Sequence, residues 1–188
     1  EERVRAGLDP KLRPVNVGAA FTKTAMREVA AGASGRRVRN AVAPLNLGLG
    51  TPAGAEMIAA TMQRIYAAGG LVSTEDAVNG FNALSRQAMH DRVRVVWPER
   101  VAAANFFYGW SGIVLYSYVD EEGGAHVDVT LSDEGARMGC VHGTLLYDTT
   151  MDPIYGNCVA ACPDLTFAAH TDDLVKGACP PADGDWNR

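Results

Sequence analysis

The apolar positions of this chain change period several times, and each change marks a predicted element. Residues 13–18 (Arg-Pro-Val-Asn-Val-Gly) contain a proline whose fixed φ and missing N–H favour an extended segment. From 19 to 33 the spacing turns helical, with Phe21, Ala25, Met26 and Val29 on one face and Gly32 and Gly35 as stop signals. Residues 46–52 read as a glycine-rich loop. It feeds a helix over 52–68, with Thr51 as N-cap, Pro52 at the first position, and Ala55, Ile58, Ala59, Met62, Ile65 and Tyr66 as the apolar stripe. A strand then ends at Asp76, and a helix over 85–96 is stopped by Trp97 and Pro98. Residues 114–119 and 126–131 flank Glu121, Glu122, Gly123 and Gly124, a strong hairpin signal. A second glycine-punctuated loop, 135–143, precedes a helix over 144–162. The chain then runs through a short apolar strand, the pair Asp172 and Asp173, and a second apolar step ending at Val175. Strands alternate with helices but include two hairpins, so the predicted class is α+β with an antiparallel sheet.

Composition narrows the setting. The 188 residues are enough for one domain with a core, and 47% hydrophobic with 21% charged residues is ordinary for a water-soluble globular chain. Apolar runs are broken well short of the length of a membrane span, and the first five residues lack the apolar stretch of a secretory signal. Cys140, Cys158, Cys162 and Cys179 do not make a disulfide framework in a chain this long. Cys158 and Cys162 lack a second ligand pair, and His142 and His170 show no zinc spacing. Free thiols in a reducing compartment are expected, which places the chain inside the cell, in cytoplasm or nucleus. The net charge of −5 argues against a free-standing nucleic-acid binder, but it is unevenly spread. Residues 1–39 hold nine Lys/Arg against four acids, whereas the remainder holds eight against eighteen. A basic front before an acidic body suits a polyanionic substrate; a solvated surface helix would carry the same charges.

Asp76 follows one apolar run, and Asp172 with Asp173 sits between two others. A polar hairpin turn is the plain reading of an Asp-Asp pair. Three carboxylates at the ends of neighbouring strands are also what a two-metal phosphoryl-transfer site requires, since anionic oxygens must hold two divalent cations in line with attacking and leaving oxygens. On this reading Asp76 and the Asp172–Asp173 turn lie side by side on neighbouring antiparallel strands. The helices over 52–68, 85–96 and 144–162 then cover one face of that sheet.

Five stretches occur in order: Lys11-x-Arg13-Pro14, Gly48-x-Gly50-x-x-x-Gly54, Asp76-x-x-Asn79-Gly80-Phe81-Asn82, Gly135-Ala-Arg-Met-Gly139, and Asp172-Asp173. In that order they resemble reverse transcriptases of the non-LTR retrotransposon type, over most of the chain from about 13 to 175. The resemblance implies a palm with partial fingers: a fingers-like basic segment over 1–50, a palm-like domain over 51–177 and a tail over 178–188. It makes Asp76, Asp172 and Asp173 the catalytic carboxylates, with Mg²⁺ or Mn²⁺ as cofactor. Phe81 then occupies the place of an aromatic gate against a ribose 2′-hydroxyl; otherwise it is a core residue beside Leu84. Lys11 and Arg13 resemble residues that grip the incoming triphosphate, a task suited to the bidentate fork of Arg; otherwise they are surface charges. Gly135 and Gly139 would let backbone approach template and nucleotide, or serve as turn glycines. The implied partners are an RNA template, a DNA primer and deoxynucleotides, with no membrane.

The sequence departs from the family pattern at three places: His170 stands for an aromatic residue, Met138 for a Gln, and Gly80 for an Ala. Only fifteen residues follow Asp173, too few for a primer-grip hairpin and helical thumb, so a thumb region or a protein partner is expected from elsewhere. Two functions follow. One is an RNA-templated DNA polymerase unit whose isolated chain is inactive or nearly so. The other is a catalytically inactive descendant serving as a structural or adaptor subunit.

Overall fold

The computed structural model describes residues 20–43, 45–137 and 139–182. Among them the chain forms seven α-helices and two small antiparallel sheets. In order these are α1 (Ala20–Ala31), α2 (Ala33–Val42), α3 (Gly54–Ala67), β1 (Leu71–Asp76), α4 (Gly80–Ala83), α5 (Arg86–Val96), a 3-10 turn (Pro98–Arg100), α6 (Val101–Tyr108), β2 (Gly112–Val119), β3 (Ala125–Ser132), α7 (Gly143–Ala161), β4 (Leu165–His170) and β5 (Asp173–Ala178). The α+β class expected from the pattern is the class found. The extended segment at 13–18 lies outside the described residues.

Three local differences have physical causes. Gly35 does not stop a helix but lies inside α2, where a Cβ would sit 2.1 Å from the Ala30 carbonyl oxygen; its missing side chain lets α1 and α2 meet. Phe21 and Ala25 of the expected apolar face are exposed, while Met26, Val38 and Val42 are buried. Helix α3 begins at Gly54 rather than at Pro52. Ala53, in a left-handed conformation at φ 55°, takes the N-cap position expected of Thr51, with no side-chain cap. Finally, Trp97 and Pro98 end α5, yet Pro98 opens the 3-10 turn that leads into α6, a helix the pattern did not announce.

Gly54 yields a test of packing. Gly→Ala in a helix ordinarily stabilises by up to about 1 kcal/mol. Here a Cβ would meet the Leu47 carbonyl oxygen at 2.0 Å, so the sign inverts. Gly54→Ala is expected to destabilise by about 1–3 kcal/mol, as overpacking does. A thermal or urea midpoint at or above wild type would show that the 46–50 loop gives way freely.

The three-stranded sheet has the order β1-β5-β4. Its register runs from Leu71↔Ala178 to Asp76↔Asp173 and from Leu165↔Ala178 to His170↔Asp173. Beyond β4, the glycine-rich loop adds one parallel bridge, Asn46↔Ala169, closed by Leu47 N–H donating to Ala169 O at 2.8 Å and Ala169 N–H donating to Leu45 O at 2.7 Å. Strands β2 and β3 form a separate two-stranded sheet, with Ile113, Leu115, Val127, Val129 and Leu131 exposed.

Helix α3 packs on the three-stranded sheet through Ile58, Met62 and Ile65, which meet Ala168, Val175 and Leu47. Ala55, Ala59 and Tyr66 of the expected stripe face outward. The expectation that the 85–96 helix also lies on this sheet is corrected. Met89 and Val93 of α5 are fully buried instead in a core with Val38, Trp97, Leu145, Leu146 and Tyr147, so α5 packs on α7. That contact also resolves a proline. Pro153 inside α7 has no N–H for the Thr149 carbonyl, and Arg92 of α5 donates to it through Nε at 3.0 Å while its Nη2 pairs with Asp152 at 3.3 Å.

Candidate functional site

The β4–β5 hairpin turns through two residues, Thr171 and Asp172. Asp173 opens the central strand and has His170 opposite it on one side and Asp76 on the other. The sequence-predicted carboxylates are thus brought to one end of one sheet, on neighbouring antiparallel strands. Directly opposed residues in such a pair have Cβ atoms roughly 4.5–5.5 Å apart. Asp76 and Asp173 are exposed and Asp172 is half-buried. Like charges opposed in this way repel.

Among the described residues, no group of three or more His, Cys, Asp or Glu side chains converges as a ready-made metal site. The donors present are hard carboxylate oxygens, which suit Mg²⁺ or Mn²⁺. Mg²⁺ at nucleotide sites is held by one or two carboxylates, with waters and phosphate oxygens completing the shell. Two carboxylates at this end of the sheet therefore fit a cation shared with an anionic ligand. Lys11, Arg13 and Met138 lie outside the described residues.

The turn is held from below. Thr171 is buried at φ 62°, a costly conformation for a β-branched residue. Its N–H donates to Asn46 Oδ1 at 3.2 Å, the same oxygen accepts from Gly48 N–H at 3.0 Å, and the Tyr155 hydroxyl donates to Thr171 O at 3.0 Å. Gly48 has to be glycine for this approach, since a Cβ would meet Thr171 Oγ1 at 2.8 Å and Thr171 N at 2.9 Å. The glycine-rich loop and the aspartate turn, 125 residues apart in sequence, are thereby joined.

Phe81 is half-buried, its ring stacked on Tyr147 with centroids 4.7 Å apart and planes 22° from parallel. Burial first, then the charge of Asp172 and those of Asp148 and Asp76, push the Tyr147 hydroxyl up to about 12. This ring therefore shares the surroundings of both Asp76 and Asp172. Gly80 lies in the same place: a Cβ there would meet the Tyr147 hydroxyl at 2.9 Å and Asp172 Cβ at 3.3 Å. Gly135, at φ 78°, donates its N–H to Leu84 O at 2.8 Å, and Ala136 donates to Phe81 O at 2.7 Å. A Cβ on Gly135 would sit 2.4 Å from Asn82 O, so this glycine is fixed by packing against the Phe81–Leu84 segment. Gly139 is an exposed turn residue at φ 86°.

Sequence reasoning missed Asn46, Tyr147, Asp148 and Tyr155. Asp148 left a signal, a lone carboxylate in the uncharged run 143–151 of α7. It is completely buried and neither oxygen has a hydrogen-bond partner among the described residues. Burial, reinforced by the charge of Asp172 and opposed by the amide of Asn46, raises its pKa to about 7. Elsewhere, Cys140, Cys158, Cys162 and Cys179 are free thiols, and no described helix is long and apolar enough to cross a membrane.

No family model matches the chain, and no curated protein matches it. The solved structures that resemble its backbone include a telomerase from Candida albicans in complex with a TWJ fragment of telomeric RNA and an apo telomerase from Candida tropicalis truncated from its C-terminal domain. Each is 11% identical with a TM-score of 0.47 over 87% of this chain, and the match covers 30% and 35% of those chains.

Proposed function

We propose that the chain is the palm and part of the fingers of an RNA-templated DNA polymerase of the reverse-transcriptase kind, with 1–50 as the basic fingers-like segment and 51–177 as the palm. The observation that carries this reading is the register Asp76↔Asp173 with Asp172 in the adjoining turn. In this reading Asp76 and Asp172 hold the divalent cations, with Asp173 beside them. A bound Mg²⁺ or Mn²⁺ pair supplies a lowered pKa for the primer 3′-hydroxyl and neutralises charge on the leaving pyrophosphate. The hydroxyl attacks the α-phosphorus of a deoxynucleotide, forming the new phosphodiester as the bond to pyrophosphate breaks. Phe81, stacked on Tyr147, would serve as a gate against a ribose 2′-hydroxyl; Gly135 and Gly139 would border template and nucleotide; Lys11 and Arg13 would grip the triphosphate.

Primer extension on an RNA template tests the reading, using the chain alone and the chain fused to a helical primer-holding domain. Holding the primer matters because misplacing the hydroxyl by about 1 Å can cost on the order of a hundredfold. The fusion is expected to extend the primer only with Mg²⁺ or Mn²⁺, and Asp76→Asn to reduce the rate by about a hundredfold or more. Template–primer binding without any extension by the fusion would replace the enzyme with an adaptor.

A further inference from the structure

We infer that Asp148 is a positioning residue for Asp172, acting through the Asn46 amide to hold the glycine-rich loop and the aspartate turn in one arrangement. The inference deepens the cation-site reading and rests on it for its functional meaning, though not for its geometry.

Asn46 Oδ1 already accepts from two backbone donors, Gly48 N–H and Thr171 N–H. Those two bonds fix which way the amide faces, so Nδ2 has to find its acceptor on the opposite side. Nδ2 is buried and unpartnered among the described residues, as are both oxygens of Asp148. The Asn46 amide is nevertheless the polar neighbour that acts on the Asp148 carboxyl. A buried donor without an acceptor thus stands beside a buried acceptor without a donor. Native interiors rarely leave either group unmet, and a bond between the two would satisfy both. With that bond made, a polar chain would run from α7 through Asn46 to Thr171, the residue preceding Asp172, and Tyr155 of the same helix already donates to the Thr171 carbonyl. On this inference α7 would set the turn from two points, Tyr155 and Asp148, with its core contacts to α5 as the base.

Asp148 acts through Asn46, so its test reads the turn and not only stability. Amide exchange is followed residue by residue in wild type, Asp148→Leu and Asp148→Asn, together with Mn²⁺ affinity. Asp148→Leu is expected to speed exchange at Gly48 and Thr171 by at least about tenfold, leaving Met89 and Val93 in α5 unchanged. Asp148→Asn retains an oxygen that can accept from Asn46 Nδ2, and exchange is expected to stay within about twofold of wild type. Mn²⁺ affinity should fall severalfold in Asp148→Leu and be largely kept in Asp148→Asn. Absence of Mn²⁺ binding by wild type refutes the cation reading while the exchange result still judges the link. Equal protection of Gly48 and Thr171 in a folded Asp148→Leu protein overturns the inference, as does equal acceleration in both variants. Should Asp148→Leu not fold, the Asn46 side-chain amide protons of wild type decide: slow exchange is expected, and exchange at the rate of a solvent-exposed amide overturns the link.

Discussion

Asp172→Asn is expected to abolish divalent-cation binding, measured by titration calorimetry with Mg²⁺ and Mn²⁺. Wild type should bind weakly, because few protein oxygens converge and much of the shell must come from water or a nucleotide. On the proposed reading that binding would draw on clustered like charges that a cation relieves. Asp172 is the half-buried member of the cluster, and the Thr171 backbone bonds hold its position, so on the proposed reading its loss would remove a cation ligand. Without cation the same substitution should leave stability unchanged or slightly raised, since one repelling charge is gone. Binding lost with stability kept would separate a ligand from a structural residue. Identical heats for wild type and variant would rule the site out.

The sequence made the ends of strands legible and left the contacts between distant segments hidden. The Asp76 strand and the aspartate hairpin could be placed because apolar runs flanking a polar pair have few foldings, and their antiparallel register follows once they share a sheet. Ser85 as a helix start was equally local: its Oγ accepts from Ala88 N–H at 3.3 Å, and the helix was placed within a residue. Gly35 misled, since it was expected to stop a helix and instead lies inside α2 against the Ala30 carbonyl. Gly48 serves Thr171, Gly54 serves Leu47 and Gly80 serves Tyr147, and none of these three partners can be read from turn chemistry. The Asn46–Thr171 bond spans 125 residues and has no local signature. Likewise the split of the strands into two sheets depends on which apolar faces find helices. The β2–β3 hairpin alternates as a strand pair should, but that alternation does not say whether it joins β1, β5 and β4.

Stability is expected to fall as pH rises from about 4 to about 7, through Asp148. Its folded pKa of about 7 stands above the value of 3.8 for a free side chain, because burial disfavours the carboxylate and the charge of Asp172 adds to that. Between those values the folded chain binds more protons at this site than the unfolded chain, so deprotonation on unfolding is favoured by higher pH and stability declines. Below about 4 both states are protonated and the penalty is absent; above about 7 both are ionised and it is complete. About three units correspond to an upper bound of about 4 kcal/mol, since one unit is worth about 1.4 kcal/mol. His142 acts with the opposite sign. Burial depresses its pKa, opposed only by the bond to Met26 O, so its penalty appears as pH falls through 6.5. The two effects are separated by comparing wild type with Asp148→Asn, in which His142 is untouched. Urea midpoints at pH 4.5, 6 and 8 should nearly coincide at the acid end and diverge towards pH 8, the variant being the more stable by about 2–4 kcal/mol. Parallel curves across that range would mean that Asp148 is ionised and satisfied in the folded chain at all three pH values, with a partner strong enough to offset its burial.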